Sequence, residues 1–465
     1  MAFKFTENLY DYDVFPLVFK DGQETEIHIR RLGREPQFEP NKEYDVVFCA
    51  MEMGDPRDFP ATADFQYEKV KSDAEGNFTF KHTFNGEQEY LIRFLNDEGK
   101  RINQFPVYCV AADLAGRYPF IGDLHMHTNN SDGNQDPEVV CANYRRHGYD
   151  FMVVSDHQRY YPSLNAIKAY KDVPIELNIV PGEEVHMPRV HGKTNDVHIV
   201  NFGGEYSINS LVESTAVAEV GKDLSVRATR TENVPDVMTM EEYEDKMQAL
   251  ADEIEVPENV DAVPAAVCKW IFDSIRDANG LGIFAHPTWR KNVYHIPEAF
   301  TDYLMATKPF DAFEVLGGEN YFEHNGFQTV RYYEEKAKGN RFPIVGSTDS
   351  HSSYPLNRNA YICSTIVFSA ENERTALIKA IKDYYSVAVD TISEEFRIVG
   401  DNRLVRYGCF LIKNYFPRHD ELCWEEGRLM KQYVTGTASE REEAAEMLKA
   451  INGRMKRFNK KYFAF

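Results

Sequence analysis

Up to about Leu114, hydrophobic positions come in short alternating runs. Ile27 and Ile29 are flanked by polar neighbours. Phe78, Phe80 and Phe84 share one parity with His82 between them, and Val46–Cys49 and Tyr90–Phe94 are further apolar or alternating runs. A period of two is the signature of a strand with one buried face. Asp73–Gly76, Asn85–Gly86 and Asn96–Gly99 punctuate these runs as turns. Many short strands with frequent turns predict a small all-β sandwich over residues 1–117. No chemistry stands out in it.

From about Tyr118 the pattern becomes strands alternating with helices. Phe120–His125 reads as a strand. Asp136-Pro137 then reads as an N-cap with Pro at the first helical position, opening a helix to about His147 with Gly148 as its stop. Phe151–Ser155 is nearly all apolar, as a buried parallel strand should be. Ile175–Val180, Val197–Val200, Leu281–Ala285, Phe310–Leu316 and Pro343–Gly346 read as further strands. Helices are predicted over Val267–Ala278 and Thr329–Lys338. Repeated β-α units imply an α/β domain with a parallel sheet, open or closed as a barrel, over residues 118–393. An acidic insertion at about 204–261, with a helix near Met240–Ile254, interrupts the rhythm. It reads either as a lid or as a solvated excursion. Residues 394–465 read as a mostly helical C-terminal extension ending in the basic-aromatic tail Lys456–Phe465.

Composition narrows the class. With 465 residues, 43% of them hydrophobic, the chain can bury a sizeable core in two or three domains. No apolar run is long enough to span a bilayer, and MAFKFTENLY lacks the basic and apolar regions of a secretory leader. Seven scattered Cys without a C-x-x-C pair fit free thiols in a reducing cytosol, so a cytoplasmic location is expected. The formal net charge of -22 repels phosphate backbones and makes tight polynucleotide binding unlikely. A metal-filled pocket would still accept a small anion.

The chemistry concentrates between His125 and His351. In Asp123-Leu124-His125-Met126-His127 the two imidazoles are two residues apart on a strand, so both can aim at one cation. Asp132 follows in Ser131-Asp132-Gly133, placed to curl back. Alone, an H-x-H is as readily a structural pair. It is not alone: Asp156-His157, Glu183-Glu184, His286 and Asp349-Ser350-His351 each follow a predicted strand, and His198 lies within one. Enzymes with parallel sheets place their sites at the C-terminal ends of strands. Imidazole with carboxylate and no thiolate suits Zn, Mn or Fe.

The order DLHMHT…SDG, SDH, PGEEV, VHIVNFG, FAHP and STDSH resembles the polymerase and histidinol phosphatase (PHP) superfamily over about residues 118–393. The resemblance implies a distorted (β/α)7 barrel holding two or three divalent metal ions. It implies phosphoester hydrolysis by attack of a metal-bridging hydroxide, with some relatives acting on carbamates or aryl esters. By motif, His125, His127, Glu184 and Asp349 would hold a first metal. Glu184 would bridge to a second held also by His198 and His286, and Asp132, His157 and His351 would hold a third. Glu184 is chosen over Glu183 because the family motif reads Gly-x-Glu. His198 is chosen over His186 and His191 because it lies in the matching strand. The chain departs from the family pattern in its STDSH, its acidic insertion and its additions at both ends. A β domain before the barrel resembles the carbaryl-hydrolase-like branch.

Substrate groups are less marked. Arg290, four residues after His286, and Arg159, two after His157, would each suit a bidentate phosphate clamp or be ordinary surface arginines. Glu314 ends a predicted strand and would line the pocket or be structural. Trp289, Tyr160 and Tyr161 would stack on an apolar leaving group or simply pack. Proton delivery would fall to a metal-bound water or to His157 if it is not a ligand. The expected substrate is therefore a small phosphorylated molecule. The alternatives are a carbamate- or aryl-ester-cleaving, amidohydrolase-like enzyme, and a non-catalytic metal-binding module. The absence of a Lys at the matching strand end and the terminal Asp-x-His weigh against an amidohydrolase barrel.

Overall fold

The structure is a computed structural model that describes residues 11–33, 38–52, 65–213, 236–290, 292–317, 322–354, 361, 363–391 and 397–465. The chain forms two compact units: Met1–Tyr118 with Asn402–Leu422 and Gly453–Phe465, and Pro119–Asp401 with Cys423–Asn452. The C-terminal residues are thus divided between the units. No helix among the described residues is long and apolar enough to cross a membrane.

Among the described residues before residue 118, the first unit carries eight strands: β1 (Tyr12–Phe15), β2 (Val18–Lys20), β3 (Glu24–Arg31), β4 (Glu43–Ala50), β5 (Gln66–Lys71), β6 (Phe78–Thr83), β7 (Gln88–Leu95) and β8 (Arg101–Val110). They form a sheet β1-β3-β6 and a sheet β2-β8-β7-β4-β5, which the C-terminal pair Phe463–Ala464 extends beside β2. The alternation read from the sequence is the cause. Ile27 and Ile29 of β3 are buried, and every second residue of β7 faces inward. Phe38, Tyr44, Phe78 and Phe94 pack edge-on or tilted within one cluster. The tail differs from a simple terminal helix: Arg454–Tyr462 is helical, and the last residues turn into the edge strand.

The second unit contains β9 (Tyr118–Asp123), β10 (Phe151–Val153), β11 (Asn178–Val180), β12 (Gly182–Val185), β13 (Ile199–Phe202), β14 (Leu281–Phe284), β15 (Ala312–Leu316), β16 (Ile344–Gly346), β17 (Cys363–Ser369), β18 (Ser386–Asp390) and β19 (Arg397–Val399). Among the described residues these do not make the single closed barrel that was expected. They form two sheets, β11-β10-β9-β17-β18-β19 and β12-β13-β14-β15-β16. Isolated parallel bridges at Met126–Ser350 and His157–Glu184 join strands of the two sheets. β9, β10 and β11 are parallel, as are β14, β15 and β16, but β13 runs antiparallel to both of its neighbours.

Helices Pro137–Arg146, Tyr161–Ala169, Glu298–Thr307, Phe322–Ala337 and Arg374–Lys382 connect successive strands. The first begins at Pro137 as its sequence demands, and Gly148 (φ 95°) supplies the left-handed turn after it. The Asp136 side chain does not cap that helix; it accepts from Asn129 Nδ2 at 2.5 Å. The helix expected from Thr329 starts earlier, at Phe322. Its Asn325-Gly326 looks like a turn signal, but buried Asn325 accepts from Gly317 N at 2.9 Å and so anchors the loop after β15.

The acidic insertion is packed where it is described. Tyr206, Ile208, Leu211, Tyr243 and Met247 are buried in one core cluster with Trp270 and Ile271. Residues 214–235 lie outside the described residues. Near the expected C-terminal extension, Arg397–Val399 is a strand paired with β18, and helices follow from Asn402. The segment Cys423–Asn452 is held in its unit by Arg145, which is fully buried and pairs with Asp150 at 2.9 Å and Glu426 at 2.7 Å. Removing one partner of such a buried triad leaves an uncompensated charge.

Candidate metal centre

His125 and His127 follow β9, alternating with Leu124 and Met126, which are wholly buried. Alternation sends the two rings to the same side. The backbone here is fixed from several directions. Buried Asp123 accepts from His125 N (3.2 Å), Thr348 N (3.1 Å) and Thr348 Oγ1 (2.5 Å). Asp349 N donates to His125 O and His127 N to Ser350 O, each at 2.8 Å. The first and last motifs are therefore brought side by side. Asp349 itself sits in the left-handed region, φ 47°, a conformation uncommon for a non-glycine residue and frequent at functional sites.

Four donor atoms converge there. His125 Nε2 and His127 Nε2 are 3.3 Å apart. Glu184 Oε2 is 3.4 Å from each. Asp349 Oδ1 is 3.3 Å from the first and 2.9 Å from the second. A cation with ligand bonds of about 2.0–2.1 Å in tetrahedral array requires ligand–ligand edges of about 3.3–3.4 Å. Four of the five edges fit that requirement, and the fifth, between His127 and Asp349, is shorter at 2.9 Å. Both oxygens of fully buried Glu184 also lie 2.7 Å from an imidazole nitrogen, Oε2 from His157 Nδ1 and Oε1 from His198 Nδ1. Yet neither oxygen has a hydrogen-bond partner, nor does His286 Nε2. Buried polar atoms crowded together without hydrogen bonds are what a cation-binding set looks like.

His286 follows β14 and stacks on His125, with ring centroids 5.3 Å apart; its Nε2 is 3.6 Å from Asp349 Oδ2. His198 comes just before β13 rather than inside it. Because β13 runs against its neighbours, its beginning lies beside the ends of β12 and β14, where Ile199 pairs with Val185 and Phe284. The reversed strand thus delivers His198 to the same place.

Asp132, His157 and His351 form a more open group. Asp132 Oδ2 is 3.5 Å from His157 Nε2 and 3.3 Å from His351 Nε2, and the Asp132 side chain is 56% exposed against none for Glu184. The loop bearing Asp132 is tied down by buried Asp156, which accepts from Thr128 N (2.8 Å), Thr128 Oγ1 (2.5 Å) and Ser131 Oγ (2.5 Å).

The remaining sequence candidates are placed differently. Glu183 faces away from the centre. It accepts from Ser207 Oγ (2.8 Å), Ile208 N (2.5 Å) and Asn209 Nδ2 (3.0 Å). Glu314 is fully buried and faces His125 Nδ1 at 3.1 Å. Arg290 is paired with Glu323 at 3.0 Å. Arg159 is half-buried and makes no ion pair among the described residues. Tyr160 donates to Gly204 O at 2.6 Å and Tyr161 to Asn130 Oδ1 at 3.2 Å. Trp289 lies close to the centre, its ring 6.0 Å from that of His198. His191 is half-exposed beside Glu244. His186, set aside in the sequence, is part of the cluster: its Nε2 is 2.9 Å from His157 Nδ1 and 3.5 Å from Glu184 Oε1. The signal that would have found it is its spacing, two residues beyond Glu184 on the same strand face.

The electrostatics match a ligand set at Glu184 and His286, whereas the surrounding carboxylates hold a proton on His125 that a cation would displace. Burial pushes the Glu184 carboxyl up, but His157, His198, His125 and His186 outweigh it and hold it well below the usual carboxylate range. Burial also works against charge on His125, but Asp349, Glu314 and Glu184 raise it well above an ordinary imidazole. Burial pushes His286 down to about 3 and His186 to about 4, aided for both by neighbouring imidazoles. Ionised carboxylates and neutral imidazoles are the forms that bind metals.

A scan against protein-family models and a search of curated proteins each found no match. Among solved structures, the chain is similar to a two-domain protein of Bacteroides vulgatus containing a predicted PHP-like metal-dependent phosphoesterase. The identity is 17%, the match covers 59% of this chain and 65% of that one, and the TM-score is 0.36. It is similar to an amidohydrolase of Chromobacterium violaceum with bound sulfate and no metal, at 16% identity, 51% and 89% coverage and TM-score 0.30. It is also similar to an endonuclease Q in complex with a duplex bearing an abasic lesion, at 13% identity, 57% coverage of each chain and TM-score 0.32. At these identities and TM-scores the likeness assigns neither substrate nor activity to this chain.

Proposed function

We propose that the protein is a metal-dependent hydrolase that binds two or three divalent cations and cleaves a phosphoester of a small molecule. The observation that carries this reading is the convergence of His125, His127, Glu184 and Asp349 on one point with metal-ligand spacing. Glu184 turns its other oxygen toward His198, which supports a bridging role. His286 would complete the second set, and Asp132, His157 and His351 a third. Bound cations would supply an activated water and neutralise charge growing on the phosphoryl oxygens. The chain's part is to hold these ligands rigid in a buried site, with Glu314 orienting His125 and Asp156 fixing the Asp132 loop.

The size of the substrate follows from charge. With 52 basic against 74 acidic residues, the chain has no surplus of cations to track a long polyanion. A single phosphate group meets the cations at short range and needs no such track. Arg159, which makes no ion pair among the described residues, is preferred for a phosphate contact, since Arg290 is engaged with Glu323.

The test is a panel of phosphomonoesters, phosphodiesters, carbamates, aryl esters and duplex DNA with manganese-loaded protein. Turnover of a small phosphoester, falling only gently with added salt, is expected. Cleavage of carbamates or aryl esters alone would place the enzyme with the amidohydrolase-like or carbaryl-hydrolase-like alternative. Tight, steeply salt-dependent DNA cleavage would overturn the small-molecule reading. Metal binding without any turnover would favour a non-catalytic module.

A further inference from the structure

His157 presents its two ring nitrogens to two different groups. Nε2 faces Asp132, 3.5 Å away, in the open set. Nδ1 faces inward, 2.7 Å from Glu184 Oε2 and 2.9 Å from His186 Nε2. The two inward contacts are not equivalent. Only the one to His186 has hydrogen-bond geometry; both Glu184 oxygens remain without a hydrogen bond. A neutral imidazole that gives one nitrogen to a cation keeps its proton on the other, and that proton needs an acceptor.

His186 is held for this task. It follows β12 and shares the strand face of Glu184. Its backbone N donates to Asn209 Oδ1 at 3.1 Å, and Asn209 Nδ2 in turn donates to Glu183. Its ring is wedged between those of His157 and His198, with both centroids 4.9 Å away.

Resting on the metal-centre reading above, we infer that His186 is a positioning residue for the open cation set. It accepts the Nδ1 proton of His157, points His157 Nε2 at the Asp132–His351 group, and leaves both Glu184 oxygens to the cations. It is not itself a ligand. The alternative hydrogen bond, from His157 to Glu184, would consume an oxygen that the buried sets share. Partners of this kind are worth about 10- to 100-fold in metal affinity.

The test is manganese binding to the full chain, followed by elemental analysis after dialysis and by titration against a competing chelator. Wild type, His186→Gln, His186→Leu and His198→Leu would be compared. His186→Leu is expected to weaken the most loosely held ion about 10- to 100-fold while the tighter ions stay bound. His186→Gln, whose amide oxygen still accepts, is expected to recover most of that loss. His198→Leu is expected to lose a tightly held ion. If His186→Leu sheds a tightly held ion as His198→Leu does, His186 is a ligand and the inference is wrong. If Gln is no better than Leu, or neither variant changes any affinity, it is also wrong. A wild-type chain that binds no more than one ion would instead refute the multinuclear centre on which the inference stands.

Discussion

Glu183 and Glu184 are adjacent in β12, yet one carboxylate is fully hydrogen-bonded and the other has no hydrogen bond at all. The strand's alternation separates them: Glu183 fastens the turn at Ser207–Asn209, and Glu184 stands among four imidazoles. Glu184→Gln is therefore expected to lose bound metal and activity. Glu183→Gln should keep its metal and lose about 1–3 kcal/mol of stability through its weakened contacts. Elemental analysis and thermal melts of the two variants separate these outcomes, and the reverse order would reassign the bridge.

Nine competent ligands are too many for one cation. Manganese-reconstituted protein is expected to hold at least two ions per chain by elemental analysis. Because ions bind the folded site, they also stabilise it, by about 2.7 kcal/mol at a free concentration one hundred times Kd. Chelator should lower the melting temperature accordingly. A saturated content of one ion or fewer would contradict the multinuclear centre.

Glu314 is at His125 Nδ1, behind the ring rather than in front of it. A carboxylate there fixes the tautomer and aims Nε2 at the cation. Glu314→Ala should weaken binding of the tightest ion by about 10- to 100-fold. Substrate KM should change little at saturating metal. A change in KM with unaltered metal affinity would return Glu314 to the pocket wall.

His147 follows the helix Pro137–Arg146 and stacks on Tyr361, with ring centroids 3.9 Å apart. Burial pushes its imidazole down to about 3. An unfolded chain takes up this proton near pH 6.5, whereas the folded chain refuses it until about pH 3. The stabilising contribution is thus complete above pH 6.5 and is lost as pH falls from 6.5 towards 3. The slope is at most about 1.4 kcal/mol per pH unit. His147→Phe keeps an aromatic ring against Tyr361 but cannot bind the proton. Its stability should fall less steeply over this range in denaturant titrations at matched metal loading. Parallel acid limbs would contradict the assignment.

Local pattern made part of this legible. Alternation at Ile27 and Ile29, and Pro137 after Asp136, both correspond to the elements observed. The H-x-H after an apolar strand and the Asp-x-His near residue 350 identified residues that do meet in space. What stayed hidden depends on pairing between distant segments. No local signal told that β13 would run against its neighbours and present His198 from its start. Nor did one say that the strands would divide between two sheets. The Asn325-Gly326 pair obeys turn statistics, yet tertiary contacts at Asn325 hold it in a helix. The acidic stretch around Tyr243 reads equally as a lid or as a solvated excursion; its apolar stripe is packed on the Ala262–Asp277 helix. Glu314 is visible in the sequence only as a strand-end candidate and His186 only as a rival to His198. Their partners, 189 and 29 positions away, give them the roles seen in the structure.

Of the bridges between the sheets, one joins two ligands, His157 with Glu184, and the other joins Met126, between His125 and His127, with Ser350, between Asp349 and His351. Neighbouring amides complete the join: Gln158 N donates to Glu184 O at 2.9 Å and His127 N to Ser350 O at 2.8 Å. The cation ligands are thus also the stitches along a seam. Emptying the centre would gather uncompensated carboxylates on that seam, whereas the paired interior of β14 and β15 would feel little. Amide hydrogen exchange should then speed up at Glu184, His127 and Gln158 on chelation and stay slow at Ile283 and Phe313. In this protein, metal occupancy would be written into backbone breathing along one line of the fold.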